Sequence, residues 1–261
     1  MSAFQTIIVK KQDNFAEIVL NRPEKRNALN KQMVDELSAA FKSLKTEDRI
    51  RVVVLKGEGK AFCSGADLAY LKELRNFDYQ KNLEDSLNLG NLFLKIYAFP
   101  KPIIAIVQGP ALAGGCGLAS VCDLILATPN AIFGYPEVKI GFVAALVSAF
   151  LIRQIGERKA RELLLTGKIL NAQQAFNYGL INELVQEPEL EIKLKETIKD
   201  LMANGPQAMA TTKQLFLDFT YQEIFSEIKK LSKVNAKFRS SPEFLEGINS
   251  FLEKRTPNWR S

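Results

Sequence analysis

The chain has 261 residues, 47% hydrophobic and 25% charged, the balance of an ordinary globular protein. That length buries roughly three quarters of the chain's surface with no disulfide or metal staple. Histidine is absent, which excludes Ser-His-Asp and Cys-His nucleophile machinery, imidazole acid–base chemistry and His-ligated zinc, while 35 Lys and Arg against 29 Asp and Glu leave +6 and suit an anionic partner.

Thr6–Lys10 and Phe15–Leu20 read as two short strands about the polar turn Gln12-Asp13-Asn14. Lys31–Leu44 follows with Met33, Val34, Leu37, Phe41 and Leu44 at helical spacing. Val52–Leu55 is an unbroken, mostly β-branched apolar run, the signature of a strand covered on both faces. Helices are expected over Leu68–Leu74 and Leu83–Tyr97, and a buried strand over Ile103–Val107 after Pro100 and Pro102. Ala111–Val121 is small and apolar, and Asp123–Ala127 reads as a further strand. From Ala145 onward the pattern is helical, with Gly205-Pro206 and Ser241-Pro242 as helix starts. The alternation predicts an α/β fold with largely parallel crossovers, a core over residues 1–200 and a helical C-terminal part over 201–261.

Cys63, Cys116 and Cys122 form no CxxC pair and are odd in number, which fits a reducing compartment. The first residues hold no long apolar stretch, and the run from Ile140 to Ile152 is too short to span a bilayer. A cytoplasmic protein with no membrane partner is the expectation. The charges are interspersed, and the dense stretch from Glu187 to Glu196 reads as a solvated helix face.

Several familiar motifs fail. Gly57-Glu58-Gly59 follows a strand, but Phe62 stands where a dinucleotide fingerprint needs its third glycine. Gly59-Lys60 lacks the upstream glycine of a P-loop, and Ser64 is not in G-x-S-x-G.

Three segments remain. Ala61-Phe62-Cys63-Ser64-Gly65-Ala66-Asp67-Leu68 leads small residues into a helix. Gly109-Pro110-Ala111-Leu112-Ala113-Gly114-Gly115-Cys116-Gly117 follows a buried strand. A helical glycine costs about 1 kcal/mol relative to alanine, so Gly114, Gly115 and Gly117 require either a close backbone approach or a ligand at free N–H groups. Phe133-Gly134-Tyr135-Pro136-Glu137-Val138 places one carboxylate among apolar neighbours, which should raise its pKa toward neutrality.

In this order the segments resemble the enoyl-CoA hydratase/isomerase (crotonase) family, with the feel of bacterial enoyl-CoA and methylglutaconyl-CoA hydratase-like members. The resemblance runs from Asn21-Arg22-Pro23 and Asn27-Ala28-Leu29 through those segments to Glu246-Gly247 and Glu253-Lys254-Arg255. It implies a spiral of ββα units with a helical C-terminal trimerisation region, a homotrimer or dimer of trimers, and acyl-CoA thioester substrates. Coenzyme A enters as part of the substrate; no separate cofactor or metal is implied. By similarity, the N–H groups of Ala66 and Gly114 form an oxyanion hole and Glu137 is the acid/base. Asp67, Leu68 and Gly117 would line the substrate path, and Lys254 would reach the coenzyme A of a neighbouring subunit.

One position departs from the family pattern. Hydratases of the family typically carry a second glutamate three places after the oxyanion glycine, where this chain has Gly117. Gly117 is expected to leave room for a water, a carboxylated substrate arm or an anion, which keeps enoyl-CoA hydration first. A Δ3-Δ2-enoyl-CoA isomerase needs only one carboxylate and is the second reading. An RNA-binding or non-catalytic member is the third, disfavoured for nucleic acid because Lys31, Lys42 and Lys45 sit among acids and form no comb.

Overall fold

A computed structural model describes residues 4–260. β1 (Ile7–Lys11) and β2 (Phe15–Leu20) form an antiparallel hairpin, followed by a 3-10 turn, Pro23–Lys25. α1 (Lys31–Lys45) starts where the Asn30 side chain accepts the Met33 N–H, an N-cap. β3 (Val52–Gly57), α2 (Leu68–Leu74), α3 (Tyr79–Tyr97) and β4 (Ile103–Val107) come next. β5 (Pro110–Leu112), α4 (Gly114–Ser120), β6 (Leu124–Ala127) and β7 (Ile132–Gly134) lead to a 3-10 turn, Pro136–Ile140. Then follow α5 (Ala145–Ile155), α6 (Glu157–Thr166), β8 (Ile169–Asn171), α7 (Ala172–Tyr178), β9 (Glu183–Leu184) and α8 (Leu190–Ala203). α9 (Pro206–Phe238) and α10 (Pro242–Glu253) complete the helices.

The main sheet has the order β1-β2-β3-β4-β6-β9 and is parallel beyond the first hairpin; a second sheet, β5-β7-β8, stands beside it. The continuous apolar run of β3 is explained by cover on both faces. Val53 and Leu55 join the large core with α1, α3, α4 and α5, while Val52 and Val54 pack with Leu194 and Ile198 of α8.

Two expectations need correction. The segment after Ala145 is not uniformly helical, because β8 pairs antiparallel with β7 and β9 pairs with β6. Strands of three and two residues carry no periodicity of their own; remote partners define them. α3 begins at Tyr79 rather than Leu83, because the Asp78 side chain caps the Lys81 N–H at 2.8 Å. Among the described residues no helix is long and apolar enough to cross a membrane.

Parallel strands send their loops out at one edge, and in open α/β sheets ligands bind beyond the carboxyl ends of the strands. The segments after β3 and β4 meet there.

Candidate active site

Cys63 pairs with Ala111 as a parallel bridge. Its N–H donates to the Pro110 carbonyl, and its own carbonyl accepts the Leu112 N–H, both at 3.0 Å. Just beyond, Gly65 and Ala113 both take positive φ, 93° and 51°. A Cβ on Gly65 would lie 3.0 Å from that of Ala113, so the two chains turn against each other. For Ala113, which carries a real Cβ, such backbone costs of order 1–3 kcal/mol, and strain of this kind collects at functional sites.

The residues after these turns are Ala66 and Gly114. The Leu29 N–H donates to the Gly65 carbonyl at 2.7 Å, and the Asp67 N–H donates to the Leu29 carbonyl at 2.8 Å. The Ala66 N–H between them donates to no acceptor among the described residues. Gly114 is the first residue of α4, where an N–H has no intrahelical partner. Two backbone donors are thereby left unclaimed, and at Gly114 the dipole of α4 adds to the pull on negative charge. The structure brings together the two donors that the sequence singled out.

The three glycines of α4 separate by role. A Cβ on Gly115 would stand 2.2 Å from the Cys63 carbonyl oxygen, so this glycine permits the close approach of the two segments. A Cβ on Gly117 would stand 2.4 Å from Val147 Cγ1 and 3.2 Å from Phe93 Cζ. The expected room for a water or substrate arm at Gly117 is therefore absent; apolar side chains fill it. At Gly114 only Leu29 Cδ1, at 3.3 Å, meets such a Cβ. Packing demands glycine far less there, since only the flexible tip of Leu29 must shift by a few tenths of an ångström. Gly114→Val should accordingly lower kcat/KM by roughly 10²–10³-fold, the scale of a lost oxyanion donor, with little change in Tm. A Tm that falls in step with activity would return Gly114 to a packing role.

The Asp67 side chain is turned into the fold. It is 5% exposed, its Oδ2 lies 2.6 Å from Arg22 Nη2, and its Oδ1 accepts the Ala69 N–H at 2.8 Å as the N-cap of α2. Burial works to raise its pKa, but the Arg22 hydrogen bond and the amide donors outweigh it and hold the carboxyl below its usual range. Both oxygens are engaged by the fold rather than presented to a ligand. Leu68 is 48% exposed, and Lys254 is an exposed C-cap of α10 in left-handed backbone, φ 56°.

The Ala113 N–H donates to the Gly134 carbonyl at 2.8 Å, which sets the segment carrying Glu137 beside the start of α4. Glu137 lies in the 3-10 turn Pro136–Ile140, closed by Gly141 in left-handed backbone. The C-terminal helix braces this turn. A Cβ on Gly247 of α10 would overlap the Ile140 carbonyl oxygen at 2.0 Å, Trp259 Cη2 lies 3.0 Å from the Cβ positions of both Gly141 and Gly247, and the Phe142 and Phe244 rings are 4.7 Å apart. Gly141 and Trp259 escaped the sequence reading; the only local signal was a glycine inside α10.

Glu137 is 9% exposed, and its Oε2 is buried with no hydrogen-bond partner among the described residues. Burial raises its pKa from 4.5 to about 7, opposed only by its own backbone N–H. The nearby Cys116 thiol is pushed to about 12 by burial, so it stays protonated. A carboxyl poised near neutrality can both take and give a proton.

That shift has a consequence for stability. The folded state holds a proton that the unfolded chain releases between pH 4.5 and about 7, so this group's penalty grows as pH rises through that window. Glu137→Gln removes it. The variant should match wild type near pH 4 and exceed it above pH 7 by up to roughly 3 kcal/mol. Tm measured across pH checks this; a gain that does not vary with pH would contradict the buried, raised carboxyl.

Comparison with known proteins follows the same lines. A profile of the family Enoyl-CoA hydratase/isomerase matches residues 10–261. A Thermus thermophilus protein named as a candidate enoyl-CoA hydratase is 41% identical over 244 residues, 94% of this chain and 96% of the relative. The crotonyl-CoA hydratase of Syntrophomonas wolfei is 32% identical over 99% of both chains. The 2,3-dehydroadipyl-CoA hydratase of Escherichia coli is 32% identical over 97% of this chain and 98% of its own. Among solved structures, an enoyl-CoA hydratase from Mycobacterium avium superposes with a TM-score of 0.87 at 30% identity, covering 99% of this chain and 100% of its own. With a fold, a pair of free N–H donors and a whole-length match in agreement, the chain belongs to the enoyl-CoA hydratase/isomerase family and has the crotonase fold.

Proposed function

We propose that this chain adds water across the C2=C3 bond of a 2-enoyl-CoA, with Ala66 and Gly114 as oxyanion donors and Glu137 as the acid/base. The observation that carries the reading is the buried Glu137 carboxyl, whose Oε2 has no partner among the described residues, on a segment that the Ala113–Gly134 hydrogen bond ties to the start of α4 with its unclaimed donor. The thioester oxygen accepts both N–H groups. When water attacks C3, charge moves onto that oxygen as an enolate, and preset donors about 3 Å away stabilise it where it develops, by roughly 3–4 kcal/mol each. Glu137, as carboxylate, takes a proton from the attacking water and then, as acid, returns it to C2. H and OH are both accounted for, and the carboxyl ends as it began.

Because Val147 and Phe93 fill the space at Gly117, Glu137 handles the water without a second carboxylate at that position. The same observation favours a second reading, a Δ3-Δ2 isomerase in which Glu137 carries a proton between C2 and C4.

The exposed Leu68 lines the acyl-CoA path, and Lys254 reaches the coenzyme A of a neighbouring subunit. Residues 201–261 form the assembly region of a cytoplasmic homotrimer or dimer of trimers. The exposed Leu215, Phe216 and Phe219 of α9 support that region as one that needs cover. A panel of 2-enoyl, 3-enoyl and carboxylated enoyl-CoAs with product identification tests the function. Hydratase activity yields 3-hydroxyacyl-CoA from 2-enoyl substrates; conversion of 3-enoyl to 2-enoyl-CoA without hydration selects the isomerase.

A further inference from the structure

We infer that Arg22 is a positioning residue that aims the Ala66 N–H through Asp67, an inference that rests on the reading of Ala66 as an oxyanion donor. Arg22 stands two residues beyond β2 and is itself fixed: its N–H donates to Asn27 Oδ1 and its carbonyl accepts the Asn27 N–H, both at 2.9 Å. Its guanidinium then forks. Nη1 donates to the Ala28 carbonyl at 2.6 Å, and Nη2 donates to Asp67 Oδ2 at 2.6 Å. The two side chains are only 15% and 7% exposed, so solvent screens the pair weakly.

The fork grips two backbone segments that already run side by side, Ala28–Leu29 and Gly65–Asp67. Leu29 donates to Gly65 O and accepts from Asp67 N–H, which pins the peptide on each side of Ala66. A peptide unit is planar and trans, so the Ala66 N–H points opposite to the Gly65 carbonyl. Fixing that carbonyl on Leu29 fixes the direction of the free N–H. Arg22 holds the Leu29 segment by its neighbour Ala28 and the Ala66 segment by its neighbour Asp67, and so sets their spacing. Only a planar fork reaches both acceptors; a lysine ammonium is a single point charge on a more flexible stem. The other donor needs no such clamp, since the carbonyl preceding Gly114 accepts the Gly117 N–H inside α4.

The test compares Arg22→Lys, Arg22→Met and Asp67→Asn with wild type in the full-length protein. Tm, kcat and KM are measured, together with the absorbance red shift of a bound aryl-enoyl-CoA, which reports polarisation of the thioester carbonyl. Arg22→Lys and Arg22→Met should lower kcat roughly 10- to 100-fold, the scale on which small displacements act. KM should change much less, and the red shift should shrink. Asp67→Asn should act in the same direction, and the Arg22→Met/Asp67→Asn pair should be no worse than its worse member. Lys213→Met breaks an equally short ion pair, to Asp123 at the far end of β4, and should lower Tm while leaving the red shift alone. An unchanged red shift in folded Arg22→Lys and Arg22→Met, with kcat falling only in step with Tm, overturns the inference. A wild type that shows no red shift overturns the oxyanion reading itself, and this inference with it.

Discussion

Glu137→Gln is expected to lower kcat for hydration by about 10²-fold or more while leaving the fold and thioester binding intact. Glutamine keeps the shape of the side chain and cannot ionise, so it neither takes the proton from water nor delivers one to C2. The two backbone donors proposed for the oxyanion hole belong to other segments, the loop after β3 and the start of α4, and should still hold the carbonyl. KM should therefore move little. The variant should also be no less stable at neutral pH, because it removes a carboxyl that burial disfavours in its charged form. Steady-state kinetics with Tm on the same preparation checks all three points. Turnover close to wild type would show that the proton moves through another group.

The second large effect concerns Gly117. Gly117→Glu restores the residue type that hydratases of the family typically carry there, yet hydration should fall rather than rise. The new Cβ would lie 2.4 Å from Val147 Cγ1, so α4 and α5 must separate or Val147 must rearrange. Overpacking of this kind costs about 1–3 kcal/mol, and the carboxylate it introduces enters an apolar setting where its charge is further penalised. Any charge it keeps near Glu137 makes both carboxyls harder to ionise. Tm and hydration should drop together. A rise in hydration with Tm preserved would show that the native site has space for a second carboxylate and that the chain works as an isomerase in its absence.

How far the sequence reveals this depends on the range of the forces involved. β2, α2 and β4 fall where the apolar patterns place them, and α9 and α10 begin at the proline signals of Pro206 and Pro242. Those features are local. β8 and β9 are not, since each exists only because a remote strand offers hydrogen bonds. The same division runs through the site. The raised pKa of Glu137 is legible in its apolar neighbours, and the glycine run of α4 announces that something must come close. Which glycine admits the Cys63 carbonyl, which packs on Val147 and which meets only the tip of Leu29 is decided by other segments. The fork of Arg22 spans residues 45 apart in sequence, and no periodicity encodes it.

The most direct measurement of the central claim is the fate of crotonyl-CoA incubated with the wild-type protein in water enriched in a heavy oxygen isotope. A hydratase that works through Glu137 and the two backbone donors yields 3-hydroxybutyryl-CoA with one labelled oxygen at C3, and Glu137→Gln yields almost none in the same time. Unlabelled, unchanged crotonyl-CoA from the wild type, or equal labelling by the two proteins, would contradict the account.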